Sequence, residues 1–528
     1  MRRRDFIGAA TSSAILAAPG ITRAESAKLL KFRPVGDLAV LDPVWSGARP
    51  TRNHAYLVYD MLYGMDEDLA VRPQMAAGHV IEDDGRRWVI TLREGLRFHD
   101  GSPVLARDVV PSVKRFCVRD TFGQALMAAT EEITAPDDRR IIFRLKKPFP
   151  HLAQALAGGS SLTPCVMPAR LAETDPFKQV TEMVGSGPFR FVANEHMAGH
   201  RAVYERFAGY VPRPDGKTSF LAGPKHVHFE RVEWAIIPDA ATAAAALRSG
   251  EIDWWEVVAA DFVPMMRADP NLRVSTSKLL TAIGLMKFNQ LHPPFDNLAI
   301  RRVMLGVIDQ AAAMQAVAGD DPKEWVDRIG LFGPGMPLAN DAGIDVMTGP
   351  RDPGKAKRDL AAAGYRGEPI AFLDPADIGE LHALSLVGAD ALRQAGFNVE
   401  VVSLDFGSVV RRRLNRETPA KGGWNVTCTL MDSAYAFTPP GLFPLRGNGA
   451  ASPGWGWSVS PRIEELLQAW YDAPDLAREK AICRDLQMAL WNDVPYIPMG
   501  QYSQQTAYRR TITDMPLGFP LFYGVRPA

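Results

Sequence analysis

The sequence predicts an exported α/β protein of two or three domains, and three observations support that prediction. The N-terminus has the layout of an export signal, strand and helix patterns alternate along the chain, and 528 residues exceed what a single hydrophobic core serves. A hydrophobic fraction of 47% with 23% charged residues is ordinary for a globular protein. We therefore expect a folded, soluble chain.

The first 24 residues have the three parts of a signal peptide. Residues 2–4 are Arg, residues 8–20 are uncharged, and Thr22 and Ala24 occupy the −3 and −1 positions of a cleavage site. Arg-Arg-Asp-Phe-Ile, residues 3–7, resembles the twin-arginine signal, which exports folded proteins; a Sec signal with an extra Arg is the alternative. The apolar run is shorter than the about 20 residues that span a bilayer. No Cys follows it for a lipid anchor, so we predict a free periplasmic protein.

The charge balance argues against nucleic acid as a partner. The chain has 60 Lys and Arg against 60 Asp and Glu, without a basic block. Residues 1–24 hold four Arg and one Asp, so their removal changes the formal charge from 0 to −3. No later stretch is long and apolar enough to predict a membrane helix.

The four cysteines give no metal or redox motif. They are widely spaced and form no CxxC pair. An oxidising compartment permits disulfides, with three pairings open, whereas export in folded form suits free, buried thiols. Both alternatives stay open for these residues: Cys117, Cys165, Cys428 and Cys483.

The first part of the mature chain predicts two strands around a helix. Apolar residues alternate with polar ones at residues 88–92 and 141–145, as in half-buried strands. Between them, Asp100-Gly101 predicts a tight turn, because Gly permits the positive φ that such a turn needs. Residues 106–117 carry apolar side chains at helical spacing.

The middle of the chain continues this strand–helix rhythm, which is typical of an α/β layer. Strands are predicted at residues 189–192 and 232–237. The intervening residues 201–225 are rich in Gly and Pro, which predicts a surface excursion. Asp239 is placed to cap an Ala-rich helix, and Gly250 to end it.

The second half predicts further units of the same kind. Asp296 is placed to cap one helix that extends through Ala311. Later elements are helices at residues 355–363, 381–392, 464–471 and 476–491, and strands at residues 370–373 and 399–403.

No catalytic or nucleotide-binding motif is complete: HExxH, GxSxG and GxGxxG are missing. His196 and His200 have a metal-ligand spacing, but Gly199 and a preceding strand favour a turn. Residues 349–356 nearly match a phosphate-binding P-loop, yet two Pro lack an N–H and Ala356 lacks the hydroxyl that binds Mg²⁺. We predict an ordinary helix start there, and neither a metal site, a cofactor nor an enzyme.

An ordered set of motifs resembles the family 5 solute-binding proteins, which serve dipeptide, oligopeptide and nickel ABC importers. Residues 82–104 are Glu-Asp-Asp-Gly-Arg-Arg-Trp-Val-Ile-Thr-Leu-Arg-Glu-Gly-Leu-Arg-Phe-His-Asp-Gly-Ser-Pro-Val. Matching stretches follow in the family's order: Gly185-Ser-Gly-Pro-Phe189, Leu247-Arg-Ser-Gly-Glu-Ile-Asp253, Pro293-Pro-Phe-Asp-Asn297 and Val494-Pro-Tyr-Ile-Pro-Met499. Together they cover nearly all of the mature chain.

The resemblance implies an α/β fold: a two-lobe periplasmic binding protein of type II with a two-strand hinge and an extra inserted domain. Lobe I would comprise residues 25–60, 185–273 and 494–528, the inserted domain residues 61–184, and lobe II residues 274–493. The implied function is a monomeric periplasmic component of an ABC importer. It would capture a peptide or other small amine-bearing solute by lobe closure and deliver it to the membrane permease. A metal-chelate carrier and, less favoured, a periplasmic hydrolase are the alternatives.

Asp432 is the main candidate for a polar ligand contact. In the family's peptide binders, an Asp after a Trp-bearing strand meets the ligand's amino group, and Trp424 to Asp432 resembles that pattern with Met431 where the family has Ala. A buried carboxylate without a cation is costly, so an amine would answer it; an Asp bonded to its own loop is the alternative. Residues 433–440 are more apolar than the family's peptide-binding loop. A smaller or more aromatic amine-bearing solute therefore suits this loop as well as a peptide does.

The other candidates are three tryptophans, one arginine and one tyrosine. Trp45, in the first-lobe cleft loop, and Trp455 and Trp457 are candidates for stacking on a ligand, with core packing as the alternative. Arg446 is a candidate for a ligand carboxylate, with a surface ion pair as the alternative. Tyr502 is expected to close the hinge side, and Trp424 to line the strand that leads to Asp432.

Overall fold

The computed structural model describes residues 28–158, 160, 162–434, 436–451 and 454–528. The predicted signal peptide, residues 1–24, lies outside the described residues. The strands are β1 (Leu29–Arg33), β2 (Tyr63–Met65), β3 (Val71–Pro73), β4 (Ala76–Glu82), β5 (Arg87–Leu92), β6 (Thr130–Thr134), β7 (Arg140–Leu145), β8 (Phe189–Phe191), β9 (Arg201–Arg206), β10 (Arg231–Ala235), β11 (Trp254–Trp255), β12 (Leu272–Ser275), β13 (Thr281–Phe288), β14 (Trp325–Val326), β15 (Pro369–Pro375), β16 (Asn398–Leu404), β17 (Val426–Asp432), β18 (Tyr496–Ser503), β19 (Thr506–Arg509), β20 (Ile512–Thr513) and β21 (Arg526–Pro527).

Helices lie between these strands along the whole described chain. They are α1 (Arg49–Val58), α2 (Ala106–Arg119), α3 (Thr121–Ala129), α4 (Leu152–Ala155), α5 (Ala169–Ala172), α6 (Ala240–Ser249), α7 (Val263–Ala268), α8 (Leu298–Val303), α9 (Gln310–Ala318), α10 (Pro353–Ala362), α11 (Gly379–Gln394), α12 (Phe406–Arg412), α13 (Pro461–Tyr471) and α14 (Leu476–Asp493).

Lobe I is built on a seven-stranded sheet with the order β12-β19-β11-β1-β10-β9-β8. Strand β1 lies at its centre, parallel to β10 and β11. The chain leaves this sheet after β1 and returns at β8. It leaves again after β12 and returns at β19, so three separate parts of the sequence form lobe I.

Lobe II is built on a six-stranded sheet with the order β14-β18-β13-β17-β15-β16. All eight residues of β13 are buried, because strands cover both its edges and other elements cover both its faces. The chain passes from lobe I to lobe II between β12 and β13, and returns between β18 and β19. Two short connecting segments, residues 276–280 and 504–505, therefore join the two sheets.

The inserted domain is built on a four-stranded sheet with the order β4-β5-β7-β6, which lies in the sequence between β1 and β8 of lobe I. The burial of β5 alternates residue by residue, with Trp88, Ile90 and Leu92 inward. Helix α2 packs its Val109, Val113 and Phe116 face into the same core.

Several predicted elements are confirmed, and the local chemistry explains them. Helix α6 begins where the Asp239 carboxylate accepts from the Thr242 N–H at 2.7 Å, and it ends at Gly250, whose φ is 83°. The near-match to a P-loop is the start of helix α10, where the Asp352 carboxylate accepts from the Lys355 N–H at 2.9 Å.

Two predictions for the residues after β8 hold only in part. Residues 207–218 do form an exposed or half-buried excursion without regular structure. The ends of the predicted stretch do not, because β9 is an inner strand and Lys225 makes a buried ion pair with Asp60 at 2.8 Å. The strand at the start of this stretch was not predicted for two reasons. Its central residues are all buried and do not alternate with exposed ones, and the Gly and Pro that follow favour a loop.

The helix expected from Asp296 through Ala311 is two helices. Asn297, not Asp296, caps α8 by accepting from the Ala299 N–H at 2.9 Å. A single 3₁₀ turn at Met304–Gly306 then breaks the helix, and Asp309 caps α9. A second cap within the same apolar pattern divides the segment.

All four cysteines are buried free thiols. Of the two alternatives left open by the sequence, the structure has the unpaired one. Within the described residues, no helix is long and apolar enough to cross a membrane.

Candidate functional site

Helix α1 carries the basic residues of the candidate site. Its residues 50–58 are buried, and Pro50 stands in its first turn, where a missing N–H costs no helical hydrogen bond. Two glycines fix its far end: the Gly187 N–H donates to the Val58 carbonyl at 2.9 Å, and a Cβ on Gly185 would lie 2.0 Å from that same oxygen. This close approach explains the Gly-Ser-Gly-Pro motif and seats the helix rigidly.

Asp432 lies at the end of β17, at the edge of lobe II that faces α1. It is opposite Ala282 of β13, and Ala282 is opposite Tyr502 of β18 on its other side. The structure therefore brings Asp432 and Tyr502 to the same level of the sheet. Asp432 is 7% exposed.

Two arginines of α1 reach across the lobe boundary to Asp432. Arg49 Nε donates to Asp432 Oδ2 at 3.2 Å, Arg49 Nη2 pairs with Oδ1, and Arg52 Nη2 donates to Oδ2 at 3.0 Å. Arg49 Nη2 also donates to Oε1 of Gln504, in the second connecting segment, at 3.0 Å. We call Arg49, Arg52, Asp432 and Gln504 the ionic contact.

The electrostatics of the ionic contact are balanced within the chain. Burial alone raises the pKa of Asp432, but the charges and hydrogen bonds of Arg49 and Arg52 outweigh burial and lower it. Glu256 lies behind the arginines and accepts from the Asn53 side chain at 2.8 Å; burial raises the pKa of Glu256. The cation expected for Asp432 is thus supplied by the protein itself, which the sequence did not predict.

The two arginines of the contact differ in exposure. The Arg52 side chain is 3% exposed, and its guanidinium carbon lies 3.7 Å from the ring centre of Phe519. The Arg49 side chain is 16% exposed. Arg49 is therefore the partner of Asp432 that is more accessible to solvent.

Trp424, Trp455 and Trp457 lie together, but far from Asp432. They form a separate cluster with Leu373 and Val409, and all three rings are buried. Strand β17, whose six residue steps from Val426 to Asp432 rise about 3.3 Å each, puts about 20 Å of strand between Trp424 and Asp432. Their arrangement is that of the core-packing alternative.

Arg446 is engaged within lobe II. Its Nε and Nη2 donate to the two carboxylate oxygens of Glu464 at 3.0 and 2.9 Å. Glu464 also accepts from the Gly447 N–H at 2.7 Å. This is the ion-pair alternative, so a solute carboxylate would have to displace a bidentate partner.

Trp45 lies on the loop that leads into α1 and is half-buried. The guanidinium carbon of Arg119 lies 4.9 Å from its ring centre and 5.1 Å from that of Phe177. Sequence reasoning missed Arg119, since an Arg at the end of a helix is ordinary and its two rings come from distant segments.

A second contact with lobe II is aromatic and comes from the inserted domain. The rings of His151 and Trp470 stack, with their centres 4.2 Å apart and an angle of 7° between their planes. His151 Nε2 also donates to the Trp470 carbonyl at 3.0 Å. Phe122 and Phe149 lie 5.8 and 6.1 Å from the ring of Tyr471. We call Phe122, Phe149, His151, Trp470 and Tyr471 the aromatic contact; no sequence motif predicted it.

Metal chemistry finds no support in the described residues, where no group of three or more His, Cys, Asp or Glu is placed to hold an ion. A cavity of about 220 Å³ lies inside lobe II, between α9, α10 and α11. It is separate from both contacts.

The family model for bacterial extracellular solute-binding proteins, family 5 Middle, matches residues 70–452. The chain belongs to this family. A Sinorhizobium fredii (strain NBRC 101917 / NGR234) relative, "Probable peptide ABC transporter periplasmic-binding protein y4tO", is 33% identical over 537 residues, covering 100% of this chain and 99% of the relative. The glutathione-binding protein GsiB of Pectobacterium atrosepticum is 25% identical, covering 94% of this chain and 92% of its own.

Solved structures of binding proteins share the fold. AgaA from A. tumefaciens R10 in complex with agropinic acid has a TM-score of 0.78 at 19% identity, covering 95% of this chain and 99% of AgaA. DppA from Helicobacter pylori with the peptide STSA has a TM-score of 0.78 at 18% identity, covering 94% of this chain and 98% of DppA. The predicted fold, a two-lobe periplasmic binding protein of type II, is confirmed, as is the resemblance to family 5.

Proposed function

We propose that this family 5 protein is the periplasmic component of an ABC importer, and that it binds a peptide or another small solute with an amine and a carboxylate. The observation that carries the proposal is the pairing of Asp432 with Arg49 across the lobe boundary. The peptide transporter name of the 33% identical relative supports the importer and the solute class. The signal-peptide pattern of residues 1–24 supports the periplasm.

The solute would replace the pair of charges rather than add to it. Its amine would take the place of Arg49 at Asp432, and its carboxylate would take the place of Asp432 at Arg49. Because each charge leaves one partner for another, neither is left desolvated and unpaired, which would cost several kcal/mol. Arg52 would stay on Asp432 and hold it in place.

Closure would then follow from differential contact. Lobe I supplies the arginines and lobe II supplies Asp432, so a solute that bridges them favours the closed form. We propose that the lobes meet at the connecting segments 276–280 and 504–505, and that residues 61–184 form the inserted domain. In this proposal lobe II includes β18, so the last lobe I segment begins at about residue 504 and not at residue 494.

Calorimetry with a dipeptide panel tests the exchange. A dipeptide that binds the wild type near 1 µM gains about −8.2 kcal/mol. N-acetylation removes its amine and C-amidation its carboxylate, so each should weaken binding at least about tenfold. Asp432→Asn should abolish the difference between the free and acetylated forms, and Arg49→Met the difference between the free and amidated forms.

Arg446→Gln is the matched control, because Arg446 is paired inside lobe II. Its affinities should equal those of the wild type. The proposal fails if no dipeptide binds, or if blocked and free dipeptides bind equally well.

A further inference from the structure

Arg119 stands apart from its neighbours because no carboxylate of the described chain pairs with it. Among the described residues, its hydrogen bond is a long one, from Nη2 to the Trp45 carbonyl at 3.4 Å. One turn earlier in α2, Arg115 donates to both oxygens of Asp42 at 3.1 and 2.6 Å. Of these two arginines on the same helix, Arg115 is paired with a carboxylate and Arg119 is not.

The nearest acid in the sequence is already engaged. Asp120 accepts from the Phe122 and Gly123 N–H groups at 2.9 and 3.0 Å and from Ser160 Oγ at 2.7 Å. Burial raises the pKa of Asp120, so it is a poor counter-charge. Within the described residues, Arg119 has no carboxylate that balances its positive charge.

The chain just after Arg119 contacts lobe II, and its neighbour Trp45 precedes the ionic contact. Trp45, which lies under its guanidinium, is four residues before Arg49 of the ionic contact. Two residues after Arg119, Thr121 Oγ1 donates to the Pro440 carbonyl of lobe II at 3.2 Å. On the lobe II side, residues 433–440 join Asp432 to Pro440. Arg119 therefore lies between the loop that leads to the ionic contact and the hydrogen bond from Thr121 to Pro440.

The two rings prepare the guanidinium for a ligand. Stacking on Trp45 and Phe177 restricts its rotation, and a planar guanidinium donates two parallel N–H bonds to a carboxylate. Phe177 is 62% exposed, so solvent reaches this place. A carboxylate is the group that its shape and charge recognise.

We infer that Arg119 is a specificity-determining residue that binds a second carboxylate of the solute. The inference rests on the proposed function, in which the ionic contact takes the amine and the first carboxylate. It narrows the solute class to amine-bearing dicarboxylates, such as peptides with an acidic side chain.

A pair of isosteric dipeptides tests this inference. Ala-Glu and Ala-Gln differ by one carboxylate, so calorimetry should give the wild type at least about tenfold tighter binding of Ala-Glu. Arg119→Gln should reduce that ratio to about one and leave the affinity for Ala-Gln unchanged. Arg446→Gln should keep the wild-type ratio.

The outcomes separate the two proposals. Equal binding of Ala-Glu and Ala-Gln by the wild type would overturn the role of Arg119 and leave the proposed function standing. A tenfold preference that survives in Arg119→Gln would also overturn it. Failure of every dipeptide to bind would instead reject the proposed function. Far-UV circular dichroism and the melting temperature check that Arg119→Gln folds, and we expect both unchanged because this side chain is partly exposed.

Discussion

The ionic contact and the aromatic contact both join lobe II to the rest of the chain, but with opposite chemistry. The ionic contact is a directional set of charged hydrogen bonds, and a polar solute offers the same bonds in exchange. The aromatic contact is held by burial and ring stacking, for which a charged solute has no substitute. We infer that solute exchange occurs at the ionic contact, while the aromatic contact keeps the inserted domain against lobe II.

Trp470→Ala should give the largest effect, because it removes a fully buried ring from the aromatic contact. We expect a loss of about 3–5 kcal/mol in the free energy of unfolding, measured in urea. Leu476→Ala, on the next helix and 49% exposed, is the control and should change stability by less than about 0.5 kcal/mol. A loss below about 1 kcal/mol for Trp470→Ala would mean that the aromatic contact is loosely packed.

Arg52→Met should have a smaller effect on stability. It removes one charged hydrogen bond to Asp432, while Arg49 remains, so we expect a loss of about 2 kcal/mol in the free energy of unfolding. Arg462→Met, an exposed partner of Glu465, serves as the control and should cost less than about 0.5 kcal/mol. If the two variants lost the same amount, the ionic contact would be no stronger than a surface pair.

Acid should weaken the two contacts in different pH windows. Burial lowers the pKa of His151 below its ordinary 6.5, so the aromatic contact loses stability as pH falls below 6.5. The lowered pKa of Asp432 means that the ionic contact loses stability only below 3.8. Neither group should give a slope above about 1.4 kcal/mol per pH unit.

Unfolding free energies of the wild type and His151→Gln, measured from pH 7 to pH 5, check the first window. Buried His54 and His99 share this window, so the difference between the two proteins is the quantity of interest. The variant should show the flatter dependence on pH. Parallel curves would contradict a neutral, buried His151.

Much of the fold was predictable because helix ends depend on residues that are close in sequence. The ionic contact was not predictable, because its residues are far apart in sequence. Asp239 and Gly250 mark the two ends of a helix through bonds to near neighbours, so their roles follow from the sequence. Asp432 and Arg49 are 383 residues apart, and nothing near either residue names the other. The sequence thus led to Asp432 through the family resemblance, but not to its partners.

The tryptophan candidates also show why the sequence alone did not locate the site. A loop with Trp455 and Trp457 is equally typical of a ligand platform and of a buried cluster. Only the position of β17, which begins two residues after Trp424 and ends at Asp432, separates the cluster from the ionic contact. Arg119 was not predicted because its significance is the lack of a carboxylate partner among the described residues, which a sequence alone does not reveal.

The four free thiols have a practical consequence for biophysical work on this protein. Burial raises the pKa of each thiol, so all four stay protonated and shielded from reagents at neutral pH. A single cysteine introduced on an exposed face would therefore react alone with a maleimide dye. One such dye on each lobe would report the separation of the lobes by energy transfer, without removal of any native cysteine.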